Sequence, residues 1–245
     1  MRDIKNGFID IHTHVIPHVD DGAANSAVSM KMIDMAYKQG VRKIVATPHY
    51  EVDKYDENQE IIHEYFYKLK DMAVKNYPDF EMFLGNEVYY SYGVVDKILS
   101  GEINTMAGSR YVLMEFSPGD VYKYIREGVL DVINAGFMPI IAHVERYENV
   151  FNSRDNMEEL RNVGAYMQVN SKSVAGQGGF FRGRKVLKYI REGYIDFIAT
   201  DAHSTGRRAP DIEGCLNVLR KKFDNDTIRK LMIENPKRVI ENKLI

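Results

Sequence analysis

Phe8-Ile9-Asp10-Ile11-His12-Thr13-His14 is an apolar, β-branched run that closes on two histidines. Such a run reads as a buried strand, and strand alternation sends His12 and His14 to the same face. The pattern recurs along the chain. His49 ends Val41-Arg42-Lys43-Ile44-Val45-Ala46-Thr47-Pro48-His49, and His143 ends Phe137-Met138-Pro139-Ile140-Ile141-Ala142-His143. Asp201 and His203 close Tyr194-Ile195-Asp196-Phe197-Ile198-Ala199-Thr200-Asp201-Ala202-His203, and they share a face if that strand extends so far. A lone core histidine is an ordinary packing residue. Imidazole and carboxylate groups converging from several strand ends instead describe a site for divalent transition metals.

Further strands are expected at Phe80-Glu81-Met82-Phe83-Leu84-Gly85-Asn86-Glu87, Tyr111-Val112-Leu113-Met114-Glu115-Phe116 and Ala165-Tyr166-Met167-Gln168-Val169-Asn170. Helical patterns separate them. Ser26 caps one through Gln39, stopped by Gly40, and a long amphipathic helix runs from about Asp56 to Asn76. Others cover about Val121–Asn134, Asp155–Val163, Arg184–Arg191 and Asp211–Phe223. The polar residues at the strand ends are His12, His49, Glu87, Glu115, His143, Asn170 and Asp201. Their intervals are 37, 38, 28, 28, 27 and 31 residues, each the length of a βα unit. Seven strands all ending in a polar group fit a distorted, TIM-like (β/α)7 barrel with its active site at the C-terminal rim. No linker or low-complexity segment divides residues 1–245, so a single domain is expected.

At 245 residues and a net charge of −2, no polyanion-binding surface is indicated and no nucleic-acid partner is expected. The single cysteine, Cys215, excludes an internal disulfide and fits a reducing compartment. No stretch approaches ~18 uninterrupted apolar residues, so no membrane insertion is expected. The N-terminus lacks an apolar signal core. The expected location is the cytoplasm.

His-x-His with Asp20 and Asp21 in the following loop offers two nitrogens and one or two carboxylates. His49, Glu87, Glu115, His143, Asp201 and His203 complete a set of nine if one aspartate binds. That is too many for one ion and enough for two or three, with manganese, iron or zinc all acceptable to mixed N/O donors. Carboxylates ending apolar strands are costly to bury unpaired, which favours ligation of Glu87 and Glu115 over capping. Arg146 follows His143, and Arg207 and Arg208 follow His203. Guanidinium forks in such places suit phosphate. Cys215 lacks the Cys-x5-Arg loop of thiol phosphatases and reads as core. His63 falls within the long helix. Gly176-Gln177-Gly178-Gly179 lacks a phosphate-loop Lys-Ser/Thr and reads as a flexible rim loop.

These residues also resemble a known family. Asp10-Ile11-His12-Thr13-His14, Val19-Asp20-Asp21-Gly22, Thr47-Pro48-His49, Gly85-Asn86-Glu87, Glu115-Phe116, His143-Val144-Glu145-Arg146-Tyr147, Thr200-Asp201-Ala202-His203 and Glu234-Asn235-Pro236 resemble the polymerase and histidinol phosphatase (PHP) superfamily. More narrowly, they are similar to the manganese-dependent tyrosine-protein phosphatases of Gram-positive capsule and exopolysaccharide loci. The resemblance implies a distorted seven-stranded barrel with three metal ions held by His12, His14, Asp21, His49, Glu87, Glu115, His143, Asp201 and His203. It implies Glu87 as a bridge, Arg146 on the phosphate, and a second arginine after His203. Gly206-Arg207-Arg208-Ala209-Pro210 departs from the family's single arginine and two prolines; Arg208 has the better offset. The implied partner is the phosphorylated, tyrosine-rich tail of a tyrosine kinase.

The resulting expectation is a phosphoric monoester hydrolase acting on phosphotyrosine, with phosphate held by Arg146 and Arg208. His49 or the Asp201/His203 region is the expected source of a proton for the leaving phenolate. A histidinol-phosphate phosphatase would use the same metals. A catalytically silent scaffold of a polysaccharide-assembly complex would not need all nine ligands.

Overall fold

The computed structural model describes residues 7–55 and 59–245. Its strands are β1 (Phe8–Thr13), β2 (Val41–Ala46), β3 (His49–Tyr50), β4 (Glu81–Leu84), β5 (Glu87–Tyr89), β6 (Tyr111–Glu115), β7 (Met138–Ile141), β8 (Tyr166–Asn170) and β9 (Phe197–Ala199). All pairings between them are parallel, in the orders β1-β2-β4 and β3-β5-β6-β7-β8-β9.

Two runs expected as single strands are broken. Val41–His49 divides at Thr47-Pro48, and Phe80–Glu87 divides at Gly85-Asn86. Pro48 has no N–H for a ladder, so a strand cannot pass through it undisturbed. The breaks lie side by side, because β2 pairs with β4 and β3 with β5. Gly85 N donates to Ala46 O (2.9 Å) and Glu87 N to Pro48 O (3.0 Å), so the pairing is carried across the gap. Asn86 Nδ2 adds a bond to Pro48 O (3.1 Å). Treating each broken pair as one position leaves seven positions. The ring closes where Asp201 N donates to His12 O and His14 N to Ala202 O, both at 2.8 Å. This is the expected distorted seven-position barrel.

Ile9, Ile11, Val45, Leu113, Ile140, Phe197 and Ala199 pack inside the barrel with Met106 and Val239. A larger apolar layer joins the outer strand faces to the helices, as when Met32, Phe66 and Leu219 pack in one cluster with Phe8 and Val112. The C-terminal segment covers the N-terminal ends of the strands. Asn235 Nδ2 bonds Asp196 O (2.9 Å), Tyr111 OH bonds Lys243 O (2.8 Å), and Arg110 N bonds Asn242 Oδ1 (3.0 Å). The C-terminal ends of the strands are left to the polar residues.

Several local expectations shift. The first helix is Ser26–Lys38, and its cap is Asn25 rather than Ser26, because the Asn25 side chain accepts from Val28 N at 3.0 Å. Gly40, at φ 96°, follows it as the stop. The long helix is described from Gln59 to Asn76, and its expected start near Asp56 lies outside the described residues, as does Met1–Asn6. The helix expected from Arg184 begins at Phe180. Gly176 and Gly179 have φ of 85° and 105°, so the glycine run forms a turn between Ser171–Val174 and that helix. The last strand stops at Ala199, and Asp201 is at φ 53°, so Asp201 and His203 do not share a face by strand alternation. Among the described residues, no helix is long and apolar enough to cross a membrane.

Candidate metal centre

Strand alternation accounts for the first two candidate ligands. His12 and His14 leave β1 on one face, both fully buried, with their Nε2 atoms 3.3 Å apart. Each Nε2 also stands 3.1 Å from Glu87 Oε2. Glu87 begins β5 immediately after the break, which turns its carboxylate into the barrel mouth. His49, first residue of β3 and paired with Glu87 in register, brings its Nδ1 to 3.2 Å from the same oxygen. His49 Nδ1 is also 3.4 Å from Glu115 Oε2. His143 Nε2 approaches Glu87 Oε1 at 2.8 Å and Glu115 Oε1 at 3.3 Å.

The remaining candidates arrive by turns. His143 and Asp201 are non-glycine residues with left-handed backbone, φ 31° and 53°. Such conformations cost free energy and concentrate at functional sites. Both aim a side chain into the cluster. Asp201 Oδ1 lies 3.6 Å from His12 Nε2, and His203 stacks on His14 with ring centroids 3.6 Å apart. His203 Nε2 and His49 Nε2 stand 3.3 and 3.4 Å from Asp21 Oδ1. All nine predicted ligands therefore meet in one place. Three subsets each have donor atoms within 4.8 Å of one another: His12/His14/Glu87/Asp201, His49/Glu87/Glu115 and His14/Asp21/His49/His203.

The donor set fits divalent ions. Glu87 Oε2 is surrounded by three imidazole nitrogens at 3.1–3.2 Å, yet it and His203 Nε2 are buried without a well-directed hydrogen bond. Buried polar atoms are normally satisfied, and a cation among converging lone pairs supplies the missing partner. Glu87 belongs to two of the three subsets, as a shared carboxylate would. The titration shifts describe the same crowding. Burial disfavours the charged form of His14, but Asp20 and Glu87 outweigh it and raise its pKa to about 10. Burial and Arg146 disfavour the His143 cation, while Glu115 and Glu87 raise it to about 9. Burial and the neighbouring His14 push His203 down to about 4. Burial alone would raise Glu87, yet His12 and His49 hold it well below the usual carboxylate range.

The loop after β1 divides its two aspartates. Asp21 faces His49 and His203, while Asp20 Oδ2 takes His14 Nδ1 (2.7 Å) and His49 N (3.0 Å). Gly22 makes this possible. A Cβ there would lie 2.4 Å from His14 O and 2.8 Å from Asp20 Oδ1. Nothing in the spacing of Asp20 and Asp21 distinguished the two roles. Arg146, in the one-turn segment Val144–Arg146, pairs with Asp201 Oδ2. Arg208 Nη2 reaches Asp201 Oδ1 (3.0 Å) and its Nη1 reaches Asp21 Oδ2 (3.3 Å). Arg207 is exposed. Sequence reasoning passed over Gln168, whose Oε1 is 3.1 Å from His12 Nδ1, and Tyr147, whose hydroxyl is 3.2 Å from His143 Nδ1. The discounted residues stay outside: Cys215 is buried in the core and His63 bonds Asn104 (2.9 Å).

The chain as a whole has counterparts among known proteins. The family profile described as "Capsular polysaccharide synthesis, CpsB/CapC" matches residues 8–241. The chain belongs to the CpsB/CapC family. It is 31% identical over 242 residues to the tyrosine-protein phosphatase CpsB of Streptococcus pneumoniae, covering 97% of this chain and 100% of that protein. It is likewise 31% identical over 238 residues to the tyrosine-protein phosphatase YwqE of Bacillus subtilis, covering 97% and 93%. A solved structure from a study of YwqE and CpsB, described there as metal-dependent tyrosine phosphatases, superimposes with a TM-score of 0.88 at 30% identity, covering 97% and 96%. A phosphotriesterase from Mycobacterium tuberculosis, at 13% identity and a TM-score of 0.59, covering 97% and 95%, shares the fold alone. CpsB/CapC membership thus agrees with the barrel and with a metal-dependent site at its mouth.

Proposed function

We propose that this chain is a metal-dependent phosphatase that hydrolyses phosphotyrosine on a protein, using two or three divalent ions, manganese foremost. Glu87 Oε2 carries the reading: this buried oxygen lies among three imidazole nitrogens without a well-directed hydrogen bond, an arrangement that a shared divalent ion would satisfy. His12, His14, Glu87 and Asp201 would hold one ion. His49, Glu87 and Glu115, with His143 beside the two carboxylates, would hold another, and His14, Asp21, His49 and His203 converge where a third would sit. Bound there, such ions supply Lewis acidity that lowers the pKa of water and neutralises phosphoryl charge.

The protein's own groups do the rest. Arg146 and Arg208 both rest on Asp201, on the rim side of the cluster. An arriving phosphate gives each guanidinium a second anionic partner, and their forks orient its non-bridging oxygens. Burial opposes charge on Arg146, but Asp201 and Glu87 more than offset it, so the cation persists at all working pH. His49 faces Asp21, Glu87 and Glu115 together, which favours ligation over proton donation. A phenolate with a pKa of about 10 leaves without a strong general acid.

The rim supports a protein substrate. Asp21, Arg208 and Arg146 side chains are 48%, 38% and 35% exposed, so the phosphate site opens outward rather than into a closed pocket. In this reading the substrate is a tyrosine kinase's phosphorylated tail in capsule or exopolysaccharide synthesis, and residues 1–245 act as one cytoplasmic domain. The test is phosphate release from a phosphotyrosine peptide and from histidinol phosphate, each with and without Mn2+. Manganese-dependent turnover of the peptide is expected. Preference for histidinol phosphate would shift the assignment to a small-molecule phosphatase, and no turnover of either would favour a silent scaffold.

A further inference from the structure

Among the described residues, β8 is the one barrel position whose end brings no candidate ligand. Its two inward polar residues are nevertheless buried, Gln168 at 0% and Asn170 at 7% exposure. Their hydrogen bonds have a direction that one backbone group decides. His143 N donates to Gln168 Oε1 at 2.8 Å, and an amide N–H has no other role, so that atom is the oxygen. His12 Nδ1 lies 3.1 Å from the same oxygen and must carry a proton to bond it. The lone pair of His12 is thereby left on Nε2, which faces Glu87 and Asp201. The other end of Gln168 donates to Asn170 Oδ1 (2.9 Å), so Asn170 Nδ2 donates to Asp201 Oδ2 (2.8 Å). Asp201 Oδ1 stays turned toward His12 and His14. Asn170 N is itself anchored on Glu145 Oε1 (2.9 Å).

We infer that Gln168 and Asn170 are positioning residues: a one-way relay from His143 N through β8 that fixes the His12 tautomer and the Asp201 rotamer for metal binding. The inference rests on the metal-dependent reading above. Partners behind metal ligands commonly set ligand orientation, and their loss costs about 10–100-fold in metal affinity. A relay made of strand neighbours at i and i+2 serves two candidate ligands from two other barrel positions, His12 on β1 and Asp201 in the turn after β9, which lie 189 residues apart in sequence.

The test is Mn2+ titration of the metal-free wild-type, Gln168→Leu and Gln168→Glu chains, followed by binding stoichiometry and affinity with circular dichroism as a check on folding. Gln168→Leu should lose about 10–100-fold in affinity at the ion held by His12 and Asp201. Gln168→Glu, which keeps an oxygen facing His143 N and His12 Nδ1 but loses the donor to Asn170 Oδ1, should recover the part of it that comes through His12. A residue that only fills space would lower thermal stability in both variants without this split. Wild-type affinity in Gln168→Leu, or no recovery in Gln168→Glu, overturns the inference. If Gln168→Leu does not fold, nitrogen NMR of the wild-type chain, histidine-labelled and loaded with diamagnetic Zn2+, decides the question. A proton on His12 Nδ1 is expected, and one on Nε2 overturns the relay. A wild-type chain that takes up no divalent ion would instead overturn the metal reading itself.

Discussion

Arg208 Nη2 stands 3.0 Å from Oδ1 of Asp201, a carboxylate that Arg146 holds through its other oxygen. One aspartate thus gathers both guanidiniums at the edge of the ligand cluster. Arg207, its neighbour in sequence, is exposed and offers its carbonyl to Lys172. Arg208→Ala and Arg146→Ala should each lower kcat/KM for a phosphotyrosine peptide by about two powers of ten, as losing a donor to developing phosphoryl charge does. Arg146→Lys should restore only part, since a point charge replaces the fork. Arg207→Ala should stay near the wild type. Steady-state kinetics on the three alanine variants separates these outcomes, and equal losses at Arg207 and Arg208 would refute the placement.

Glu87 touches four of the five clustered imidazoles, so its removal should reach more than one ion. His14→Ala and Glu87→Ala should abolish turnover while the far-ultraviolet spectrum keeps its barrel signature. Elemental analysis should find more than one transition-metal ion per wild-type chain and fewer in Glu87→Ala. Full activity after exhaustive chelation would contradict this.

Protons and ions compete for the same nitrogens. In the metal-free chain the raised values of His14, about 10, and His143, about 9, keep both imidazoles charged at neutral pH. Ligation needs their lone pairs, so Mn2+ uptake should release protons and weaken as pH falls. His203, pushed down to about 4, is already neutral and contributes none. The linkage also has a sign for stability. A histidine raised in the fold contributes fully below its ordinary value of 6.5 and loses that contribution as pH rises through 9 to 10. The metal-free chain should therefore lose stability on the alkaline side, and added Mn2+ should oppose the loss. A weakly buffered titration and melting curves against pH measure both.

Gly22→Ala tests the loop that supports His14. Its new methyl would overlap His14 O and Asp20 Oδ1 at 2.4 and 2.8 Å, and backbone cannot yield as a flexible side-chain tip does. The His14–Asp20 pair should be displaced, with a fall in metal affinity larger than the fall in melting temperature alone would bring. Unchanged Mn2+ binding in this variant would count against the tight loop.

Cys215 is fully buried, and burial pushes its thiol pKa far above the ordinary value. It cannot serve as a thiolate nucleophile from that position. Cys215→Ser should keep its turnover and lose roughly 1–3 kcal/mol of stability through the buried hydroxyl. Loss of activity with folding and metal content intact would point to thiol chemistry.

Much of this site was legible because its information is local. Alternation along Phe8–His14 fixes the common face of His12 and His14, and apolar runs ending in His49, Glu87, Glu115 and His143 each carry their own signal. Repeated βα spacing then implies a ring with all those ends on one rim. The tertiary structure alone decided what depends on the ring being closed. Closure sets Thr200 N against Asp10 Oδ1 across 190 residues and brings Asp201 to His12. The resemblance already favours Asp21 and Arg208, but only closure gives Asp20 its place behind His14, turns Arg207 away to Lys172, and sets Gln168 against His12. A strand's period tells which way a side chain points, whereas its partner is set by the twist, breaks and left-handed turns of chain far away in sequence. Those positions are not encoded at any fixed offset, so they became readable only once the barrel had brought them within hydrogen-bonding distance.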